Sequence, residues 1–307
     1  MLFKSDAGRN EWWRKELGAR IPDLDFRVWP ETGDPADIEL ALVWNMPPGV
    51  LKTFPNLRAI ISLGAGVDHL FKDPDLPKEA AICRLIDRNL TQRMMEYVVL
   101  HVLRYHRRQP ELDALQARGE WNELVSPTAG ERGVGIMGLG ELGTACAKAI
   151  IGLGFKVAGW SRTQKSVPGV ASFHGPDGLA PFLAHSEILV CLLPLTPATD
   201  GILDRKTFAM LPKGAALINA ARGRHVVDED LFAALESGQL GYAALDVFRE
   251  EPLPPAHPFW RHPRITVSPH NASITDPRTV ADLVAENVRR FRAGEPFLHV
   301  VDPKVGY

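Results

Sequence analysis

Ten residues constrain this chain more than any others: Val134 to Gly143, V-G-I-M-G-L-G-E-L-G. The short apolar run Val134 to Met137 has the character of a buried parallel strand. It opens directly into Gly138, Gly140 and Gly143, and an Ala-rich apolar segment, Leu142 to Leu153, follows with helical character. In a G-x-G-x-x-G turn of this kind the first glycine permits the tight exit from the strand. The second lets the backbone approach a pyrophosphate, and the third lets the helix pack close to the sheet. The free N–H groups and positive end of the helix then face the phosphates. Glycines also mark ordinary strand-to-helix turns. Here the context decides: a strand before, a helix after, and a further strand, Lys156 to Trp160, beyond. Gly138, Leu139, Gly140, Glu141, Leu142 and Gly143 are therefore candidate dinucleotide contacts in a doubly wound parallel α/β sheet of the Rossmann type.

A chain of 307 residues has room for a second domain. Residues 1 to 98 alternate strand-like and helix-like patterns, with strands expected at Leu2–Lys4, Phe26–Trp29, Leu40–Val43 and Ala59–Ser62. Helices are expected at Asn10–Ala19 and shortly after Pro48, which makes this a small parallel α/β unit. Its fourth strand runs into Leu63-Gly64-Ala65-Gly66-Val67-Asp68, a loop whose backbone N–H groups suit an anion as small as a carboxylate, or which is simply a structural turn. A helical pattern from Gln92 to Arg108 carries the chain onward. Glu111 to Arg132, with Trp121, reads as polar and irregular, either an arm against a partner subunit or a surface loop. A last helix, Thr279 to Ala293, is expected to return the chain to the first domain, which the tail Val300 to Tyr307 completes. The expected domains are thus 1–98 with 280–307, discontinuous, and 99–279.

The second strand of the larger domain ends in Ser161-Arg162-Thr163-Gln164-Lys165. A carboxylate at this place would accept from the ribose hydroxyls of NAD; none is present. A hydroxyl and two cations, Ser161, Arg162 and Lys165, suit a 2′-phosphate instead, so NADPH is expected over NADH, with NADH still possible. The next strands end in Leu193-Pro194, in Ala220-Ala221-Arg222-Gly223, at Asp246 and in Ser268-Pro269-His270. In an open parallel sheet this edge is where ligands bind. Leu193, Pro194, Ala220 and Asp246 are therefore further candidate cofactor contacts, Asp246 toward the nicotinamide or as a structural hydrogen-bonding residue.

Hydride transfer to a ketone needs a polarised carbonyl and a proton for the new hydroxyl. Histidine donates a proton near neutral pH, a carboxylate beside it keeps it protonated, and an arginine polarises the carbonyl and neutralises a carboxylate. Arg222, Glu251 and His270 fit those roles. His257 and His262 sit in a Pro-rich loop, and Arg224 and His225 flank the site without acting in it.

Charge excludes other classes. With 35 basic and 37 acidic residues the net charge is −2, which gives no electrostatic footprint for nucleic acid or a membrane surface. No apolar run of about 18 residues exists to span a membrane. Charge arrives too early after Met1 for a signal peptide, and Cys83, Cys146 and Cys191 have no disulfide or zinc spacing, as expected of a cytoplasmic protein.

Four ordered pieces, G-L-G-E-L-G (138–143), N-A-A-R-G (219–223), L-D-V-F-R-E-E-P-L-P (245–254) and S-P-H (268–270), make the whole chain resemble the D-isomer-specific 2-hydroxyacid dehydrogenase family. More narrowly, W-S-R-T-Q-K-S (160–166), L-P-P-A-H-P-F-W-R-H-P-R (253–264) and Gly306-Tyr307 resemble its glyoxylate/hydroxypyruvate reductase A group. The resemblance implies a flavodoxin-like substrate domain and a Rossmann domain that close over a cleft, with Arg222, Glu251 and His270 as the catalytic set. It implies that the backbone of Gly64, Ala65 and Gly66 grips the substrate carboxylate, that Trp44 borders the substrate, and that the protein is a homodimer through its nucleotide-binding domain. The expected substrates are small 2-oxoacids such as glyoxylate and hydroxypyruvate. A bulkier 2-oxoacid is the alternative, and a non-catalytic nucleotide-sensing regulator would need a broken catalytic set. One departure is Asn271 after His270, where the group has a small apolar residue.

Overall fold

The structure is a computed structural model that describes residues 1–6 and 8–303. The tail beyond Pro303, including Gly306-Tyr307, lies outside the described residues. The chain divides into two compact units: Met1–Leu90 together with the chain from Ile274 onward, and Thr91–Ser273.

The first unit is built on five parallel strands, β1 (Leu2–Lys4), β2 (Arg27–Val28), β3 (Leu40–Val43), β4 (Ala59–Ser62) and β5 (Ala81–Cys83), in the order β2-β1-β3-β4-β5. This is the flavodoxin-like order. Strands β3 and β4 are buried throughout, which is why they are continuous apolar runs rather than alternating ones. The helix α1 (Asn10–Arg20) presses Trp13 and Leu17 into the core. The expected strand at 26–29 shrinks to two edge residues, and β5 has no counterpart among the expected strands. Its edge is covered by the C-terminal tail: Val301 N–H donates to Ile82 O at 2.8 Å.

The second unit opens with α2 (Arg88–His106) and α3 (Gln109–Arg118). The stretch read as irregular from Glu111 thus begins as a helix. Pro110 stands in its first turn, where a missing N–H costs nothing, and Gly119 in the left-handed conformation stops it. There follow β6 (Gly133–Met137), α4 (Glu141–Gly152), β7 (Lys156–Ser161), β8 (Val170–His174), α5 (Leu179–Ala184), β9 (Ile188–Cys191), α6 (Arg205–Ala209), β10 (Ala215–Asn219), α7 (Asp228–Glu236), β11 (Leu240–Leu245) and β12 (Ile265–Val267). The seven strands are parallel in the order β12-β11-β10-β9-β6-β7-β8, so chain direction across the sheet reverses between β6 and β9. That is the doubly wound Rossmann arrangement, and the reversal point is where such sheets bind ligands.

The division falls at 90/91 and 273/274, not at 98/99 and 279/280. The reason is packing. Met94, Val98 and Val102 of α2 share a core with Val134 and Ile136 of β6. Helix α8 (Pro277–Ala293), capped by Asp276 and ended by Gly294, shares one with Phe3, Leu42 and Ile61 of the first unit through Val280, Val284 and Val288.

Cys83, Cys146 and Cys191 are buried and free, and burial pushes each thiol up to about 12. No helix among the described residues is long and apolar enough to cross a membrane.

Candidate active site

The register of the large sheet lines up its strand ends. Met137 stands beside Trp160 and Cys191, Cys191 beside Asn219, Asn219 beside Leu245, and Leu245 beside Val267. The loops that begin at Gly138, Leu192, Ala220, Asp246 and Ser268 therefore leave one edge side by side, with Ser161 ending β7 on the same row. One sheet edge thus gathers the glycine turn and the loops that carry Arg222, Glu251 and His270.

The glycine turn is built by backbone. Gly138 has φ +102° and donates its N–H to Trp160 O at 2.8 Å. A Cβ on Gly143 would stand 1.8 Å from Gly138 O, so only glycine lets α4 start this close to β6. At Gly140, by contrast, a Cβ meets nothing within 4 Å. Nothing in the protein demands glycine there, which fits a group that approaches from outside. Gly140 is also the N-cap of α4 and supplies no side-chain acceptor, so the first-turn N–H groups are left for an anion. Leu139 is buried against Gly159, Leu142 is half-buried, and Glu141 is exposed. These features fit a dinucleotide pyrophosphate.

At the end of β7, Arg162 and Lys165 are exposed, as a 2′-phosphate would require. Ser161 differs from them. It is buried and its hydroxyl donates to Thr163 O at 2.7 Å, so it shapes the turn that presents the two cations.

His270 Nδ1 lies 2.7 Å from Glu251 Oε2, and both side chains are about one-third exposed (35% and 36%). Glu251 Oε1 accepts from Phe248 N–H at 2.9 Å. Burial raises the Glu251 carboxyl, but the His270 hydrogen bond and charge, the Phe248 N–H and Arg222 outweigh it, and the net shift is downward. Glu251 is thus a carboxylate at neutral pH, fixed at one oxygen and aimed at the imidazole with the other. With Nδ1 directed to Glu251, Nε2 is the nitrogen on the opposite side of the ring.

His270 has φ +52°, uncommon for a residue with a side chain. Asp246 holds it there. Its carbonyl accepts from His270 N–H at 2.8 Å, and its carboxylate accepts from Ser268 Oγ at 2.6 Å, Asn271 N–H at 3.0 Å and Ala272 N–H at 2.9 Å. Burial raises the Asp246 carboxyl while these bonds oppose the shift. This carboxylate faces the His270 turn, which is the structural hydrogen-bonding role expected of Asp246 as one of two alternatives. Tyr97 Oη, 2.9 Å from Ser268 Oγ, extends the brace to α2. Asn271 is exposed, its backbone tied by the same carboxylate.

Arg222 follows β10 in extended backbone and donates from Nη1 to Ala221 O at 2.7 Å. Its loop depends on Gly223, where a Cβ would overlap the backbone of Phe248 and Arg249 at 1.9–2.4 Å. The loops of Arg222 and Glu251 are therefore in direct backbone contact. His225, fully buried, receives Arg222 N–H on Nδ1 at 3.2 Å and reaches Pro194 O with Nε2 at 3.3 Å. It ties the Pro194 loop to the Arg222 loop, a bracing role that sequence reasoning placed only beside the site. Leu193 and Ala220 are buried at the same edge, and Pro194 is half-buried.

The remaining candidates belong to the first unit. The Gly64–Gly66 loop leaves the C-terminal end of β4, and Trp44 follows β3 on the neighbouring strand. A Cβ on Gly64 would stand 2.9 Å from Cζ3 of Trp44, so the indole edge lies against this glycine.

A family model for the NAD binding domain of D-isomer specific 2-hydroxyacid dehydrogenases matches residues 99–272. The chain belongs to that family. It is similar to a glyoxylate/hydroxypyruvate reductase A of Serratia proteamaculans, at 43% identity over 100% of this chain and 99% of the relative. A crystal structure of a family member from Xanthobacter autotrophicus Py2 in complex with NADPH and MES superposes with a TM-score of 0.94 at 45% identity, covering 100% of this chain and 98% of that one. An NADPH-dependent glyoxylate/hydroxypyruvate reductase from Sinorhizobium meliloti, in complex with NADP and sulfate, gives 0.91 at 37% identity, covering 100% and 99%.

Proposed function

We propose that this protein is a cytoplasmic, NADPH-dependent reductase of small 2-oxoacids, glyoxylate and hydroxypyruvate first among them. The observation that carries the reading is the 2.7 Å His270–Glu251 pair on the same sheet edge as an uncapped glycine turn. The full-length similarity to reductases of those two oxoacids and to an NADPH complex supports it.

Bound reduced nicotinamide supplies a hydride to the keto carbon. Arg222 neutralises and orients the oxoacid, polarising its carbonyl. His270 gives the new alkoxide its proton from Nε2, while the Glu251 carboxylate holds the ring and stabilises its charged form. The loop of Gly64, Ala65 and Gly66 receives the substrate carboxylate, and Trp44 limits substrate size. Gly138 to Gly143 hold the pyrophosphate, and Arg162 and Lys165 select NADPH over NADH. A homodimer through the second unit is supported by the exposed apolar side chains of Leu100, Trp121 and Val125, all within 26 residues of chain, with Trp121 94% and Val125 87% accessible.

Steady-state reduction of glyoxylate and hydroxypyruvate with NADPH and NADH in parallel tests the reading. Turnover favouring NADPH by about tenfold or more is expected from two cations at the ribose phosphate. Turnover with NADH alone contradicts the cofactor assignment, and no turnover of either acid contradicts the substrate class.

A further inference from the structure

We propose that His69 is a positioning residue that locks the Gly64–Gly66 loop and Trp44 into the arrangement that takes a small carboxylate. The inference rests on the reading of that loop as the carboxylate site. His69 is buried in the turn just beyond it. Asn45 N–H donates to its Nδ1 at 3.3 Å; a backbone N–H only donates, so Nδ1 is the acceptor and the ring proton sits on Nε2. That Nε2–H donates to Ser62 Oγ at 3.0 Å. The Ser62 hydroxyl donates in turn to Gly66 O at 2.8 Å and receives Gly64 N–H at 3.3 Å. A hydroxyl has one hydrogen to give and two lone pairs to fill, and these three contacts occupy all of them.

The chain of bonds decides where the loop's N–H groups point. Gly66 O is drawn inward by Ser62, and Gly64 O accepts from Leu85 N–H at 3.3 Å. In a trans peptide the N–H of the next residue points opposite to the carbonyl, so Ala65 and Val67 N–H are turned away from these bonds. Among the described residues neither has an acceptor. These two N–H groups, one on a half-buried residue and one on buried Val67, are the donors the loop keeps for a small anion.

The imidazole also reaches the neighbouring strand end. Its ring centroid lies 4.3 Å from that of Trp44 at a tilt of 44°, on a side chain that already abuts Gly64. Asn45 is itself anchored: its carbonyl accepts from Lys4 Nζ at 2.6 Å and its amide donates to Asp6 Oδ2 at 3.0 Å. One ring nitrogen of His69 thus ties the end of β3 and the other the end of β4.

The test compares His69→Phe, which keeps a ring against Trp44 but loses both nitrogen contacts, with Ser62→Ala, their double variant, and His69→Gln, which returns an amide donor to Ser62. Oxalate, an unreactive small dicarboxylate, is titrated into the full-length protein with NADPH, alongside glyoxylate and NADPH kinetics and Tm. His69→Phe and Ser62→Ala are each expected to weaken oxalate and raise the glyoxylate KM by about tenfold, the worth of one well-placed hydrogen bond. The double variant is no worse than either single, because both break one chain. The NADPH KM stays near the wild-type value, and His69→Gln recovers most of the loss. Ser62→Ala carries the test if His69→Phe fails to fold. Unchanged oxalate affinity, or glyoxylate and NADPH constants that worsen together in step with Tm, overturns the proposal. A wild type that binds oxalate in a His69-dependent way but reduces no glyoxylate overturns the reductase reading alone. One that reduces glyoxylate with both variants unaffected overturns the positioning role alone, and one that does neither overturns both.

Discussion

Two glycine loops, one in each unit, leave the C-terminal ends of parallel strands, and they are stabilised by opposite means. The loop after β6 is held by backbone: Gly138 in the left-handed region, Gly143 packed on Gly138 O, and a twelve-residue helix starting at Glu141. The loop after β4 has no helix behind it. It is held by side chains, Ser62 and His69 from within and Trp44 alongside. The difference follows the anion each is read to bind. A pyrophosphate needs a row of N–H groups and a helix's positive end. A carboxylate needs two or three N–H groups, and a side-chain scaffold sets their direction at lower electrostatic strength.

The largest expected effect lies outside both loops and fixes the scale for them. His270→Ala is expected to lower kcat by about 10²- to 10⁴-fold, the range of general acid catalysis, while NADPH affinity holds. Stopped-flow turnover beside an NADPH titration reads both, and a surviving kcat removes the proton-donor role.

Alanine placed in each loop then separates the two designs. At Gly143 the new Cβ meets backbone 1.8 Å away that cannot retreat, whereas at Gly64 it meets only the edge of an indole at 2.9 Å. Gly143→Ala is expected to weaken NADPH by about a hundredfold and lower Tm, because overpacking against backbone costs on the order of 1–3 kcal/mol or more. Gly64→Ala is expected to raise the oxoacid KM by only several-fold, since Trp44 can tilt. Equal penalties would mean the loops are not built differently.

Glu251 gives the pH dependence. Its carboxyl lies below the ordinary value, so its negative charge beside His270 is present above that range and lost as pH falls through the lowered value. Activity is therefore expected to persist to mildly acidic pH. Glu251→Gln should lower kcat roughly tenfold and remove the acid limb that the carboxylate sets, because the imidazole loses the group that holds its ring. A pH–rate profile superposable on wild type contradicts the pairing.

The smallest effect concerns a buried histidine of α2. His101 is pushed down to about 4 by burial and then by Arg104, from an ordinary 6.5. The unfolded chain binds its proton between those values and the folded one does not, so stability falls as pH drops through that window. Replacing it with Phe is expected to flatten this acid loss, by several degrees of Tm at pH 5. Parallel Tm curves for the two proteins would contradict it.

Legibility in the sequence follows the same divide between backbone and side chains. Buried parallel strands are unbroken apolar runs, so β3, β4, β6 and β9 stand out. Strand β8 lies at the sheet edge with Ala171, Ser172 and His174 exposed, and carries no such signal. Helix α3 has no buried residue and hence no apolar stripe to read. The glycine turn announces itself because glycine is a backbone requirement. Ser62, His69 and His225 do not, because their bonds join residues brought together only by the fold. Ser161 shows the converse: its residue type suits a phosphate, yet its hydroxyl closes its own turn.

The most direct single measurement follows the hydride. NADPH deuterated at both C4 positions is incubated with glyoxylate and the protein, and the product is analysed by mass spectrometry. The account predicts glycolate carrying one deuterium on its hydroxyl-bearing carbon. Glycolate without deuterium, or no glycolate at all, would contradict it.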